Sequence, residues 1–124
     1  MEAPLPGLRV LLVEDESLVA ELIAEVLETA GCSVLGPFPR LDAALHAAET
    51  EAFDAALLDL DLAGKRSYPV AAALAARQVP FLFLTGYGQG ALDPEYAACR
   101  TVSKPFKPQH LIDLLARAVA ERAP

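Results

Sequence analysis

The sequence predicts an α/β protein built on a doubly wound, five-stranded parallel sheet in strand order 2-1-3-4-5. Three observations lead there. Continuous apolar runs of strand length alternate along the chain with longer segments of helical periodicity. The central runs lack polar alternation, as strands covered on both faces should. And 124 residues with 54% hydrophobic content suffice for one domain, spanning 1–124, with a well-buried core.

LRVLLV at 8–13 is the first strand. In ESLVAELIAEVLETAG the spacing of Leu18, Val19, Leu22, Ile23, Val26 and Leu27 predicts a helix with one apolar stripe, and Gly31 can end it. CSVLG at 32–36 is a second strand, closed by Gly36-Pro37, and the alanine-rich RLDAALHAAETE is a second helix. DAALLD at 54–59 is the third strand, and the helix from Ser67 to Arg77 tolerates Pro69 in its first turn. FLFLT at 81–85 and CRTVS at 99–103 are the last two strands. Between them GYGQGALDPEYAA, with its glycines and Pro94, opposes a full helix and leaves a short or irregular fourth helix, at most around 94–98. KPQHLIDLLARAVAERA closes the chain as an amphipathic helix. Right-handed crossovers through these elements give the flavodoxin-like arrangement.

Composition excludes several function classes. A net charge of −7 argues against direct nucleic-acid binding. No apolar run reaches the roughly 18–20 residues of a membrane span, and the start lacks a signal peptide's basic and apolar regions, so a cytoplasmic protein without membrane insertion is expected. Cys32 and Cys99 form no metal-ligand pattern. On opposite sheet edges they stand roughly 19 Å apart, too far for a disulfide. His46 and His110 sit in polar stretches of helices and read as surface residues.

The functional question lies in ALLDLDLAG, where a buried strand ends in Asp59 with Asp61 just beyond. Loops at the carboxyl ends of parallel strands gather at the switch point of the sheet. Strand one delivers Glu14, Asp15 and Glu16 there, strand three Asp59 and Asp61, strand four Thr85, and strand five Ser103 and Lys104. Glu16 alone is explained as well by capping the following helix. Carboxylates about 4 Å apart repel by roughly 4 kcal/mol at an effective dielectric of 20, and one lysine offsets too little of that. Oxygen donors without histidine or thiolate suit Mg²⁺, with Mn²⁺ possible. A hydroxyl and an ammonium facing the same point complete a cradle for a phosphoryl group on an aspartate.

With these residues in place, LLVEDE, ALLDLDL, FLFLTGY and TVSKPF resemble the receiver domains of two-component response regulators, over nearly the whole chain. FLTGY is similar, in part, to the Phe-x-Thr-Gly-x-Tyr type motif of a receiver subgroup that tends to stand alone. The resemblance implies that Asp59 is the phosphoacceptor. It implies that Glu14, Asp15, Asp59 and the backbone carbonyl of Asp61 hold Mg²⁺, that Thr85 and Lys104 bind the phosphoryl group, and that Lys104–Pro105 is a cis peptide. Asp61 and Tyr87 fall at the two positions that tune dephosphorylation in that family. Thr101 stands where the family often has the aromatic switch residue. The implied partners are a sensor histidine kinase or histidine phosphotransfer protein and a downstream protein target; the implied role is signalling rather than enzymatic. Two other readings are a receiver-like interaction module that is not phosphorylated, and a phosphatase of the haloacid-dehalogenase type, whose Asp-x-Asp motif DLDL resembles but which normally follows the first strand.

Overall fold

The computed structural model describes residues 5–86 and 92–121. Five parallel strands form the main sheet: β1 (Arg9–Val13), β2 (Ser33–Phe38), β3 (Ala55–Asp59), β6 (Phe81–Thr85) and β7 (Thr101–Ser103), in the order β2-β1-β3-β6-β7. A small antiparallel hairpin, β4 (Asp61–Leu62) and β5 (Lys65–Arg66), follows β3. With the hairpin set aside, the order is the one predicted. Four helices cover the sheet: α1 (Ser17–Thr29), α2 (Leu41–Thr50), α3 (Tyr68–Ala76) and α4 (Pro108–Glu121).

Two apolar layers follow from the strands' period of two. Val10, Leu12, Leu57, Leu82 and Leu84 pack with Ile23 and Leu27 of α1 and Leu111 and Leu115 of α4. Leu11, Val13, Leu58 and Phe83 pack on the other side with the alanines of α2 and with Val70 and Leu74 of α3. Every residue of β3 is buried, because strands and helices enclose it on all sides, which is why its sequence shows no polar alternation.

Helix ends follow local chemistry. Gly31, at φ +94°, closes α1: its amide donates to the Glu28 carbonyl and that of Cys32 to the Leu27 carbonyl. Pro69 occupies the first turn of α3, where no amide donor is needed.

The structure corrects four expectations. Leu18 and Leu22 are not part of the buried stripe of α1; they are 81% and 49% exposed, and the stripe is Ala20, Ile23 and Leu27. A six-residue apolar set at helical spacing is wider than the sheet can cover. Second, β2 does not stop at Gly36-Pro37 but runs through it to Phe38, which pairs with Val13 across a shift in register. As an edge strand, β2 tolerates a proline that has no amide to offer. Third, the hairpin had no precursor in the periodicity, since two-residue strands are too short to show one. Fourth, β7 is shorter than expected: Thr101 opens it and Cys99 lies outside. The segment before it forms a 3-10 turn over Pro94–Tyr96, and the ring of Tyr96 stacks on that of Tyr68 at 4.2 Å. Cys32 and Cys99 are free thiols. His46 and His110 are exposed.

Candidate functional site

β1 and β3 are neighbours in register, with Val13 opposite Leu58, so the residues that follow Val13 emerge beside Asp59. Asp59 is in turn opposite Leu84, the residue before Thr85. β6 carries β7 at its other side, pairing Thr85 with Ser103, and the Lys104 amide donates to the Thr85 carbonyl at 2.8 Å. Four strand ends thereby meet over one cleft of about 440 Å³, lined by Asp15, Glu16, Asp59, Asp61, Ala63, Gly64, Gly86 and Lys104.

Glu14, Asp15, Glu16 and Asp59 each place a carboxylate oxygen within 4.8 Å of the others. Glu14 is buried, and each of its oxygens accepts one hydrogen bond. One oxygen accepts from the Lys104 ammonium at 3.0 Å and the other from the Glu16 amide at 3.2 Å. Lys104 also lies 3.4 Å from Asp59 Oδ2 and 3.8 Å from Glu16 Oε1. Asp15 Oδ2 accepts from the Ala63 amide at 2.9 Å, which ties the hairpin turn to the end of β1. Glu16 precedes α1 but its side chain caps no amide; it belongs to the carboxylate group. Its adjacency to Asp15 at a strand end was the signal in the sequence, and the capping alternative concealed it.

Burial pushes the Asp59 carboxyl up to about 8, reinforced by the Glu14 carboxyl beside it and opposed by Lys104. Lys104 loses hydration in the same cleft, but Glu14 and Asp59 outweigh that and hold its ammonium above the ordinary lysine value. The cleft is thus short of positive charge. Its donors are hard carboxylate oxygens, without sulfur or imidazole among the described residues, and this donor set fits Mg²⁺ or Mn²⁺.

Asp61 is exposed and lines the mouth of the cleft. Thr85 is buried at the end of β6. The Lys104–Pro105 peptide is cis. Tyr87 lies outside the described residues. Thr101 is paired with Phe83 across the β6–β7 ladder.

The model of the response regulator receiver domain family matches residues 10–116. The chain belongs to that family. The receiver domain is similar to SdrG of Sphingomonas melonis Fr1, with 34% identity, a TM-score of 0.81, and coverage of 97% of this chain and 99% of that one. It is also similar to the receiver domain of the sensor histidine kinase PA1611 of Pseudomonas aeruginosa PAO1, a crystal structure with a magnesium ion coordinated in the active site cleft. There the identity is 28% and the TM-score 0.80, over 93% of this chain and 99% of that one. Among curated proteins, the sensor protein TorS of Escherichia coli K12 is 35% identical over 89 residues, 72% of this chain and 10% of that protein. The chain therefore spans about a tenth of that relative's length. Receiver domains are signalling phosphoacceptors of two-component systems rather than enzymes. No helix among the described residues is long and apolar enough to cross a membrane.

Proposed function

We propose that Asp59 of this receiver domain accepts a phosphoryl group from a phosphohistidine, with Mg²⁺ bound among Glu14, Asp15, Asp59 and the Asp61 backbone carbonyl. The observation that carries this reading is the clustering of four carboxylates, three of them paired with Lys104, in an open cleft at the switch point of the sheet. A carboxylate oxygen of Asp59 forms the new bond to phosphorus as the phosphorus–nitrogen bond of the donor breaks. The donor imidazole keeps the bonding electrons and leaves after protonation. Lys104 faces the same carboxylate and neutralises charge on the transferred group; the Thr85 hydroxyl binds the phosphoryl oxygens. A bound divalent ion supplies the further positive charge that the cleft lacks.

The test is labelling of the intact protein by acetyl phosphate or beryllofluoride with Mg²⁺, with the modified residue mapped by mass spectrometry. Modification at Asp59 supports the reading; a protein that takes no label, or one labelled elsewhere, overturns it. A second expectation follows from the raised Asp59 carboxyl. Below pH 8 this group is largely protonated, and a cation among the carboxylates must displace the proton. Mg²⁺ affinity should therefore rise between pH 6 and pH 8, by up to about tenfold per pH unit, with proton release on binding. Titration calorimetry in buffers of different ionisation enthalpy checks it, and a pH-independent affinity counts against it.

The donor's docking surface is the exposed side of α1. Leu18 and Leu22 are the large exposed hydrophobic side chains among the described residues. From Leu22 the apolar surface runs past Val19 to Pro105 and Phe106, directly beside Lys104. On the other side it continues into a groove with Val26, Pro108 and Ile112. Exposed Glu21, Glu25 and Glu28 on the same helix favour a partner with an apolar ridge and a basic rim. A phosphohistidine-bearing helix laid on this track reaches Asp59 past Lys104. Leu22→Glu should slow transfer from a cognate protein donor by about tenfold or more while labelling by acetyl phosphate changes less than about twofold. Equal loss in both assays would mean that α1 is not the docking surface.

A further inference from the structure

The hairpin after β3 has a role that the phosphoacceptor reading leaves open. Asp61 lies at the mouth of the cleft, and its charge adds to those of Asp15 and Glu16 along the same lining. Lys104 cannot serve it, being already shared by Glu14, Asp59 and Glu16. The cation that meets Asp61 is Arg66, with Nη1 3.4 Å from Asp61 Oδ1.

Local structure fixes that meeting. Asp61 and Arg66 are directly opposite in the β4–β5 ladder. The turn between the strands, Ala63-Gly64, has positive φ at both residues (49° and 86°), the two-residue geometry that matches strand twist in a tight hairpin. The turn is fastened to the site by the Ala63 amide on Asp15. The base is fastened by buried Leu60 and Leu62 and by the Ser67 amide donating to the Leu60 carbonyl at 2.9 Å. Opposite charges directly across an antiparallel pair attract, and a hairpin anchored at both ends spends little entropy to keep them together.

We infer that Arg66 is a positioning residue for the phosphoacceptor: it holds the Asp61 carboxylate at the rim and neutralises it, so that an anionic phosphoryl donor enters the cleft against less repulsion. The inference rests on the reading of Asp59 given above. Charge at the mouth of a cleft in which acids outnumber the one lysine affects the local concentration of an anion, and salt weakens the effect. Bond rearrangement is unchanged; only the approach of the donor is altered.

The experiment is the labelling rate with acetyl phosphate and Mg²⁺ for wild type, Arg66→Ala, Arg66→Lys, Asp61→Asn and the Arg66→Ala/Asp61→Asn double variant. Arg66→Ala should slow labelling about threefold at low ionic strength, with the deficit shrinking near about 0.5 M salt. Arg66→Lys should recover most of the rate, and Arg66→Ala should have no further effect once Asp61 is asparagine. A labelled wild type with an unchanged Arg66→Ala rate overturns the inference alone. So does an Arg66→Ala deficit that persists undiminished at high salt or in the Asp61→Asn background, since that would mark a structural role. A wild type that takes no label removes the phosphoacceptor reading, and the inference with it.

Discussion

Asp59→Asn is expected to take no phosphoryl label and, in the absence of divalent ions, to be more stable than the wild type at neutral pH. The first effect is chemical, because an amide offers no carboxylate nucleophile; the loss should be complete within detection. The second follows from burial. The Asp59 carboxyl is held at about 8 in the folded protein, against roughly 3.9 in an unfolded chain. Between those values the folded state binds the extra proton. The Asp59 contribution to stability is therefore greatest below about pH 4 and is lost as pH rises toward 8, because ionising Asp59 in the fold costs more than in water. Asparagine has nothing to ionise and escapes this penalty. The cleft is open, so solvent screens part of the effect, and roughly 2 kcal/mol near pH 8 is the scale expected. The Lys104 ammonium is not orphaned, because Glu14 accepts from it at 3.0 Å. Urea unfolding in chelator at pH 4 and pH 8 measures the difference. An advantage for asparagine that grows with pH is the expected outcome. A variant less stable than wild type at pH 8 would mean that the Lys104–Asp59 attraction exceeds the cost of burial.

Gly36→Ala should cost several kcal/mol of stability and disturb the acidic cleft from the far side of β1. Gly36 has φ +115°, a conformation that side-chain-bearing residues rarely adopt. A Cβ there would lie 2.6 Å from the Leu12 carbonyl oxygen and 3.0 Å from both the amide nitrogen and a ring carbon of Phe38. The carbonyl belongs to a buried strand and cannot yield, so β2 must move. A strained backbone conformation together with a backbone clash puts the loss at about 3 kcal/mol. The displacement reaches the site, since the Phe38 carbonyl accepts from the Glu14 amide at 3.1 Å. A lower urea midpoint together with weaker Mg²⁺ binding is expected. A loss below about 0.5 kcal/mol would show that the edge strand adapts freely.

How much of this was legible beforehand depended on the length of the signal. β1, β3 and β6 are largely buried runs of five residues, long enough to read as strands, and Glu14 just past the end of β1, Asp59 at the end of β3 and Thr85 at the end of β6 were named from their positions. The β4–β5 hairpin was missed because each strand is two residues long, and with it the partnership of Asp61 and Arg66. Periodicity placed Leu18 and Leu22 inside because it records which residues share a helical face, not how far the neighbouring layer extends. In the fold, α1 buries its Ala20–Ile23–Leu27 line, packs Val19, Ala24 and Val26 at the margin of the core, and leaves Leu18 and Leu22 outside. Glu16 was ambiguous for a related reason: an acid at a helix start serves equally well as a cap or as part of a cluster, and only its neighbours decide.

The order of apolar runs and the residue type at each strand end are local properties, so the amino-acid sequence alone determined the doubly wound sheet and the inventory of acids, hydroxyl and lysine at its carboxyl edge. Which of those groups touch depends on pairing between segments distant along the chain. Tertiary structure therefore decided that Lys104 is divided among Glu14, Asp59 and Glu16, that Asp15 anchors the hairpin turn, and that Arg66 answers Asp61. The physical reason is range: apolar spacing is written within a few residues, whereas a charge feels whatever folding brings within a few ångströms of it.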